Sequence, residues 1–183
     1  SSARAWFLLR YFGHKNILIL NGGLKNWKKK GGETTVKKTI ISKGNFVSKT
    51  EKKGLVVNLE EMISISKNNS KVILDARSYK RFIGEAKEPR PGLQSGHIPN
   101  SKSLPSSDLL TNDGFLKSIE ELDKFFSNNN IDTSENIIAT CGSGVSACVI
   151  SVALYCLGKK NIPIYDGSWT EWATSGQKIQ TGN

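Results

Sequence analysis

An apolar run of strand-forming residues, Ile137-Ile138-Ala139-Thr140, leads directly into Cys141-Gly142-Ser143-Gly144-Val145-Ser146-Ala147, and an apolar helical run extends from Val145 to Leu157. This order puts a thiol between a strand end and a helix start. Unpaired backbone N–H groups and the positive end of the helix dipole converge at such a point. Both favour a thiolate, and cysteines in such settings titrate at roughly 3.5–7.5 rather than about 8.5. Gly142 and Gly144 permit dihedrals and close backbone approaches that a packed strand end does not need. The loop amides are expected to form an anion-binding nest around whatever Cys141 carries.

The chain also resembles itself. Ile17-Leu-Ile-Leu-Asn-Gly-Gly-Leu-Lys-Asn-Trp27 aligns with Ile162-Pro-Ile-Tyr-Asp-Gly-Ser-Trp-Thr-Glu-Trp172 at an offset of 145 residues. The same offset pairs Leu9 with Leu154, Gly13 with Gly158, Lys15 with Lys160 and Asn16 with Asn161. Each copy reads as helix, glycine turn, short apolar strand, glycine turn and Trp-bearing helix, the signature of a tandem repeat. Residues 1–30 are therefore expected to be the C-terminal remnant of a first, non-catalytic domain that lies mostly upstream. Residues 31–54, rich in Lys, Gly and Thr, read as a linker. Residues 55–183 read as the catalytic domain.

Within residues 55–183 the periodicities alternate. Leu59 to Ser66 reads as helix, Lys71 to Asp75 as a buried strand and Tyr79 to Ile83 as a short helix. Glu85 to Pro105 holds four of the five prolines and reads as a long loop. Ser118 to Phe126 is an amphipathic helix with Ile119, Leu122, Phe125 and Phe126 on one face. Ile137 to Thr140 and Ile162 to Tyr165 read as strands. Strands alternating with helices imply an α/β fold, a parallel sheet with helices on both faces. Ligands of such sheets bind beyond the carboxyl ends of the strands, where Cys141 lies.

Composition excludes several classes. No run approaches the ~20 apolar residues needed to span a bilayer, so no membrane partner is expected. The net charge of +10 sits largely in Lys28-Lys29-Lys30, Lys37-Lys38 and Lys52-Lys53. No aromatic residues interleave with these lysines as a nucleic-acid stacking platform would require, so nucleic acid is not an expected partner either. The charge can still attract small anions. The three cysteines, Cys141, Cys148 and Cys156, are an odd number, which argues against a disulfide framework. Cys148 and Cys156 are two helical turns apart, ~12 Å along the axis, too far to bridge, and read as small core residues. A reducing compartment fits, the cytoplasm first and the mitochondrion as the alternative in a eukaryote. No Cys/His cluster has zinc spacing, and neither a metal nor a cofactor is expected.

A cysteine phosphatase loop needs an arginine six residues after the cysteine to grip phosphate. Ala147 occupies that position, and no basic residue lies between Cys141 and Lys159. A Cys-His protease needs a base, and the two histidines, His14 and His97, have no identifying spacing.

The Cys141 to Ala147 loop resembles the active loop of the 3-mercaptopyruvate sulfurtransferases, in the two-domain rhodanese superfamily. Asp75-Ala-Arg77, Arg81-Phe-Ile-Gly84, Glu88-Pro-Arg90-Pro-Gly92, Ser95-Gly-His-Ile-Pro99 and Asp166-Gly-Ser-Trp-Thr-Glu-Trp172 extend the resemblance across the chain. Ala3 to Trp27 resembles the end of that family's first domain. The resemblance implies a rhodanese-like fold and covalent catalysis in two steps. Cys141 takes sulfane sulfur as a persulfide and passes it to a thiol, a thioredoxin-type protein or cyanide.

It further implies that Arg81 and Arg90 bind the donor's carboxylate and ketone, as a guanidinium fork suits. Gly142, Gly144, Val145 and Ser146 would line the donor and persulfide site, with Ser143 polarising the substrate or relaying a proton. Thiosulfate-using members carry cations inside the loop, whereas Gly142 and Ser143 are neutral. 3-Mercaptopyruvate is thus the expected donor, thiosulfate the alternative, and a weakly active sulfur-carrier or binding module the reading from another class. Ion pairing of Arg81 or Arg90 with Glu85 or Glu88 is the structural alternative for those two arginines. Asp75 with Arg77 reads as a structural pair, His97 as a loop-fixing hydrogen bonder, and Trp169 and Trp172 as core or pocket wall.

Overall fold

A computed structural model of the chain describes residues 1–48 and 54–182. Residues 49–53 of the expected linker, Lys52 and Lys53 among them, lie outside the described residues. The chain order is α1 (Ser2–Tyr11), α2 (Gly23–Lys29), β1 (Val56–Val57), α3 (Leu59–Asn68), β2 (Val72–Asp75), α4 (Tyr79–Phe82) and β3 (Ser101–Ser103). A 3-10 turn (Ser106–Leu109), α5 (Ile119–Asn128), β4 (Ile137–Thr140), α6 (Ala147–Cys156), β5 (Ile164–Tyr165) and α7 (Ser168–Trp172) follow. The five strands form one sheet in the order β1-β5-β4-β2-β3, and every pairing is parallel.

β4 is the central strand, and all four of its residues are buried. That is why it reads as an unbroken apolar run, as strands covered on both faces do. Successive side chains point to opposite faces. Leu74, Ile137, Ala139 and Ile164 pack with Trp6 and Phe7 of α1, Leu122 and Phe126 of α5, and Ile150, Ala153 and Leu154 of α6. Ile73, Ile138, Tyr165 and Val57 pack with Met62 and Ile65 of α3, and with Trp169 and Trp172 of α7. The helices thus cover both faces, as the alternating pattern implied.

The starts of α3 and α5 are written in sequence. Asn58 with Glu61, and Ser118 with Glu121, each form a capping box that satisfies two otherwise unpaired amides. α6 is apolar nearly all round because it lies between the sheet and α1. The Trp6 and Tyr155 rings meet edge-on at 5.0 Å, and the Arg10 guanidinium lies 4.7 Å from the Trp6 ring and 4.5 Å from the Tyr155 ring. Arg10 and Tyr155 lie at the same 145-residue offset as the self-alignment. α1 and α6 also begin and end one offset apart, and Gly13 and Gly158 turn the chain beyond them with φ of 92° and 91°.

Several expectations need correction. Ile17 to Leu20 is not a strand: it has no ladder neighbour among the described residues, and Leu18 is 96% exposed. The loop from Glu85 to Pro105 contains the edge strand β3, whose Ser-Lys-Ser sequence carries no strand signal and which forms on the free side of β2. β1 is only two residues long and carried no readable period. Ile119, in the first turn of α5, is 57% exposed rather than on the buried face. Cys148 is buried, but Cys156 is exposed, because it ends α6. Among the described residues, no helix is long and apolar enough to cross a membrane.

Candidate functional site

Cys141 follows β4 immediately and is 1% exposed. The loop behind it is fastened by its carbonyls. Cys141 O accepts from the Trp169 amide at 2.8 Å, and Gly142 O from the Thr170 amide at 3.1 Å and the Thr170 hydroxyl at 2.6 Å. Gly144 O accepts from Arg4 Nη1 at 3.2 Å and from the Cys148 thiol at 3.3 Å. Two amides are taken by one hydroxyl: Ser168 Oγ accepts from Gly144 N at 2.9 Å and Cys141 N at 3.4 Å, while donating to Tyr165 O at 2.7 Å. The amides of Gly142, Ser143, Val145, Ser146 and Ala147 have no protein partner among the described residues. Carbonyls bonded into the protein and amides left without a protein partner at the start of α6 are the donor set that an anion-binding nest needs.

Gly144 has φ +71°, and a Cβ there would lie 2.8 Å from Asp166 Oδ1. Only glycine fits that position. Ser168 has φ +53°, a left-handed conformation uncommon for residues other than glycine. Gly23, 145 positions earlier in the self-alignment, has φ +61°. The hydroxyl that fastens the loop gives Ser168 a role that glycine could not fill.

Arg81 reaches the loop directly, and Arg90 reaches it through Thr170, whose hydroxyl donates to Gly142 O. A Cβ at Gly142 would lie 3.1 Å from Arg81 Nη2. The Arg81 guanidinium is held by Glu88: Nε donates to Oε1 at 3.1 Å, and Nη2 contacts Oε2. Glu88, its side chain 2% exposed, also accepts from Arg77 Nη1 at 2.9 Å. Arg77 grips Asp75 with Nη2 to Oδ2 at 2.6 Å, donates to Gly96 O at 2.7 Å, and lies 4.3 Å over the Trp169 ring. Two cations and two anions thus alternate from Asp75 to Arg81, so no buried charge is left alone. The pairing of Arg81 with Glu88 is the structural alternative weighed from the sequence, and it positions the guanidinium over Gly142. Arg90 is exposed, and its Nη1 donates to Thr170 Oγ1 at 2.6 Å. Among the described residues no carboxylate pairs with it.

Ser143 and Val145 are exposed at the rim of the loop, and Ser146 is half-buried at the cap of α6 without a side-chain cap bond. Asp75 is consumed by Arg77. His97 is buried, stacks on Phe82 at 3.8 Å and shares a 2.9 Å bond with Phe82 O, so its Nδ1 carries the proton. Burial pushes its pKa below the usual 6.5. Burial pushes the Cys148 thiol up to about 11, so it stays protonated as a donor to Gly144 O rather than acting as a second nucleophile. Among the described residues no His, Cys, Asp or Glu cluster is arranged to hold a metal.

Sequence reasoning missed Arg4, Ser168 and Thr170. The self-alignment that sets Ser168 against Gly23 was the available signal for Ser168. Nothing in the sequence marked Arg4, whose partners are 140 or more residues away.

The fold is a parallel α/β sheet whose central strand runs directly into a buried cysteine and a glycine loop with unpartnered amides. The Rhodanese-like domain family matches residues 58–175, and the chain belongs to that family. It is similar to thiosulfate/3-mercaptopyruvate sulfurtransferase 1, mitochondrial, of Arabidopsis thaliana, with 38% identity over 95% of this chain and 51% of the relative. It is 40% identical to the thiosulfate sulfurtransferase of Gallus gallus, over 92% of this chain and 57% of the relative. Among solved structures it resembles SseA from Escherichia coli, described with the rhodanese fold and catalytic mechanism of 3-mercaptopyruvate sulfotransferases. The TM-score is 0.79 at 34% identity, covering 92% of this chain and 62% of that one. The chain spans between half and three-fifths of the length of these curated relatives.

Proposed function

We propose that the chain is the reactive part of a sulfurtransferase that moves sulfur from 3-mercaptopyruvate to a thiol or thioredoxin-type acceptor through a Cys141 persulfide. The observation that carries this reading is the set of unclaimed amides around Cys141, flanked by two guanidinium groups and no cation within the loop. Sulfurtransferase names among the relatives support the same class.

The chemistry follows from the parts. The Cys141 thiolate attacks the donor sulfur, forming an S–S bond as the donor's C–S bond breaks. The electron pair stays on carbon as the enolate of pyruvate, which then takes a proton. Arg81 and Arg90 bind the carboxylate and the keto oxygen, where negative charge grows. Ser143, at the rim, polarises the ketone or relays the proton. The persulfide anion is held by the amides of Gly142, Ser143, Val145 and Ser146, with Gly144 shaping the turn. An acceptor thiolate attacks the outer sulfur, the S–S bond breaks, and the Cys141 thiolate returns; cyanide in the same role leaves as thiocyanate. Thiosulfate fits less well, because Gly142 and Ser143 put no positive charge against its second anionic group.

In this reading residues 1–30 are the end of a first rhodanese domain, residues 31–54 join it to the catalytic domain, and the protein works in the cytoplasm or a mitochondrion. The equal offsets of α1 with α6 and of Gly13 with Gly158 support the first assignment, as does the greater length of the relatives.

Intact-mass measurement after exposure to each donor tests the function. A gain of about 32 Da on Cys141, strongest with 3-mercaptopyruvate and absent in Cys141→Ser, is expected. Preference for thiosulfate would overturn the donor assignment. No adduct with any donor would replace an enzyme by a binding module.

A further inference from the structure

We infer that Arg4, in the first turn of α1 and outside the family-matched segment 58–175, is a positioning residue for the Cys141 loop. Its Nη1 donates to Asp166 Oδ1 at 2.6 Å and to Gly144 O at 3.2 Å, tying α1 to two backbone turns of the reactive domain. Gly144 is the most constrained residue of the loop. Its amide is bound by Ser168, its carbonyl by Arg4 and by Cys148, and the space where a Cβ would stand is occupied by Asp166 and Arg4.

The consequence lies in the next peptide bond. In a trans peptide the C=O and the following N–H point to opposite sides. Drawing Gly144 O towards Arg4 therefore turns the Val145 N–H to the side away from α1. That N–H is one of the unclaimed amides of the nest. Arg4 touches neither the sulfur nor the donor, but it fixes the aim of an amide that serves the persulfide. Among the described residues no other cation donates to Gly144 O. Arg10, two turns further along α1, anchors the same helix through Trp6 and Tyr155 and touches no loop atom. It separates loop positioning from simple docking of the helix.

The kinetic part of the test rests on the sulfurtransferase reading; the exchange part does not. The full chain is compared with Arg4→Met, Arg4→Lys and Arg10→Met. Hydrogen exchange of the peptide containing residues 141–147, thermal stability, and kcat and KM for the donor are measured. In Arg4→Met, exchange in the loop peptide rises about tenfold. The kcat falls about tenfold, a fraction of the loss seen when an oxyanion-type donor is removed outright, and KM stays within about twofold. Arg4→Lys, which keeps one cationic donor, recovers part of both. Arg10→Met lowers thermal stability but leaves loop exchange and kcat at wild-type values. Wild-type exchange in Arg4→Met, or equal loop effects from Arg4→Met and Arg10→Met, would overturn the inference. A wild-type chain inert towards every donor, with loop exchange still responding to Arg4→Met, would sink the sulfurtransferase reading and support the positioning role.

Discussion

Ser168 holds Gly144 in place: its hydroxyl accepts the Gly144 amide at 2.9 Å from a backbone held at φ +53°. Two opposing terms meet in this residue. The left-handed conformation costs a residue with a Cβ roughly 1–2 kcal/mol, whereas losing the hydroxyl leaves buried amides unpaired at about 1–3 kcal/mol. Ser168→Ala suffers the second loss and keeps the first strain. Ser168→Gly suffers the loss but sheds the strain. Denaturant titration is expected to find Ser168→Gly more stable than Ser168→Ala by about 1 kcal/mol, with both slower in sulfur transfer than wild type. If Ser168→Ala is the more stable, the strain argument fails.

Glu88 neutralises two guanidinium groups, one of them, Arg77, fully buried. Removing one partner of such a network costs about 3–5 kcal/mol, because a buried charge loses its compensation. Glu88→Gln should therefore lower stability by that order. The exposed Glu85→Gln should change it by less than about 0.5 kcal/mol. Comparable urea midpoints for the two variants would show that Glu88 is not the keystone of the pairings.

Arg90 has a different test, because its guanidinium faces solvent and pairs with no carboxylate among the described residues. A charge-assisted hydrogen bond is worth about 1.5–3 kcal/mol, or roughly 10- to 100-fold in affinity. Arg90→Ala should raise KM for 3-mercaptopyruvate by about that factor and KM for thiosulfate far less. Equal increases for the two donors would remove Arg90 from carboxylate recognition.

His97 predicts a pH dependence. Burial is the main cause of its lowered pKa, outweighing the Phe82 carbonyl bond. The unfolded chain titrates near ~6.5, so below that pH it binds a proton that the folded chain refuses. Stability is full above the unfolded value and declines as pH falls from there towards the folded value. Between about pH 7.5 and about pH 5.5, the urea midpoint of wild type should fall more than that of His97→Asn. Parallel falls would assign the acid sensitivity to other groups.

The legible parts of this protein are those whose sequence and environment agree. β4 is covered on both faces and reads as one apolar run, and Cys141 with its two glycines announces the turn. Arg81 and Arg90 were singled out only through the resemblance to a known family, since surface arginines carry no signal of their own. β3 was not, because Ser101-Lys102-Ser103 becomes a strand only by completing the edge of β2. Ile17 to Leu20 failed in the opposite sense: the residues favour a strand, but a strand needs a neighbour. The site's fastening escaped sequence reasoning because Arg4, Ser168 and Thr170 act through backbone atoms distant in sequence, and such contacts leave no periodicity.

The packing of α6 between the sheet and α1 bears on where this protein can be cut. The family-matched segment begins at residue 58, but Trp6 and Phe7 of α1 belong to the same core as Ile150 and Leu154 of α6. A version trimmed to the match would turn an interior helix into an oily surface, and continuous apolar patches of that kind invite self-association. The boundary of family likeness and the boundary of a well-behaved folding unit are different places in this chain: the match begins at residue 58, 47 positions after Tyr11 ends α1.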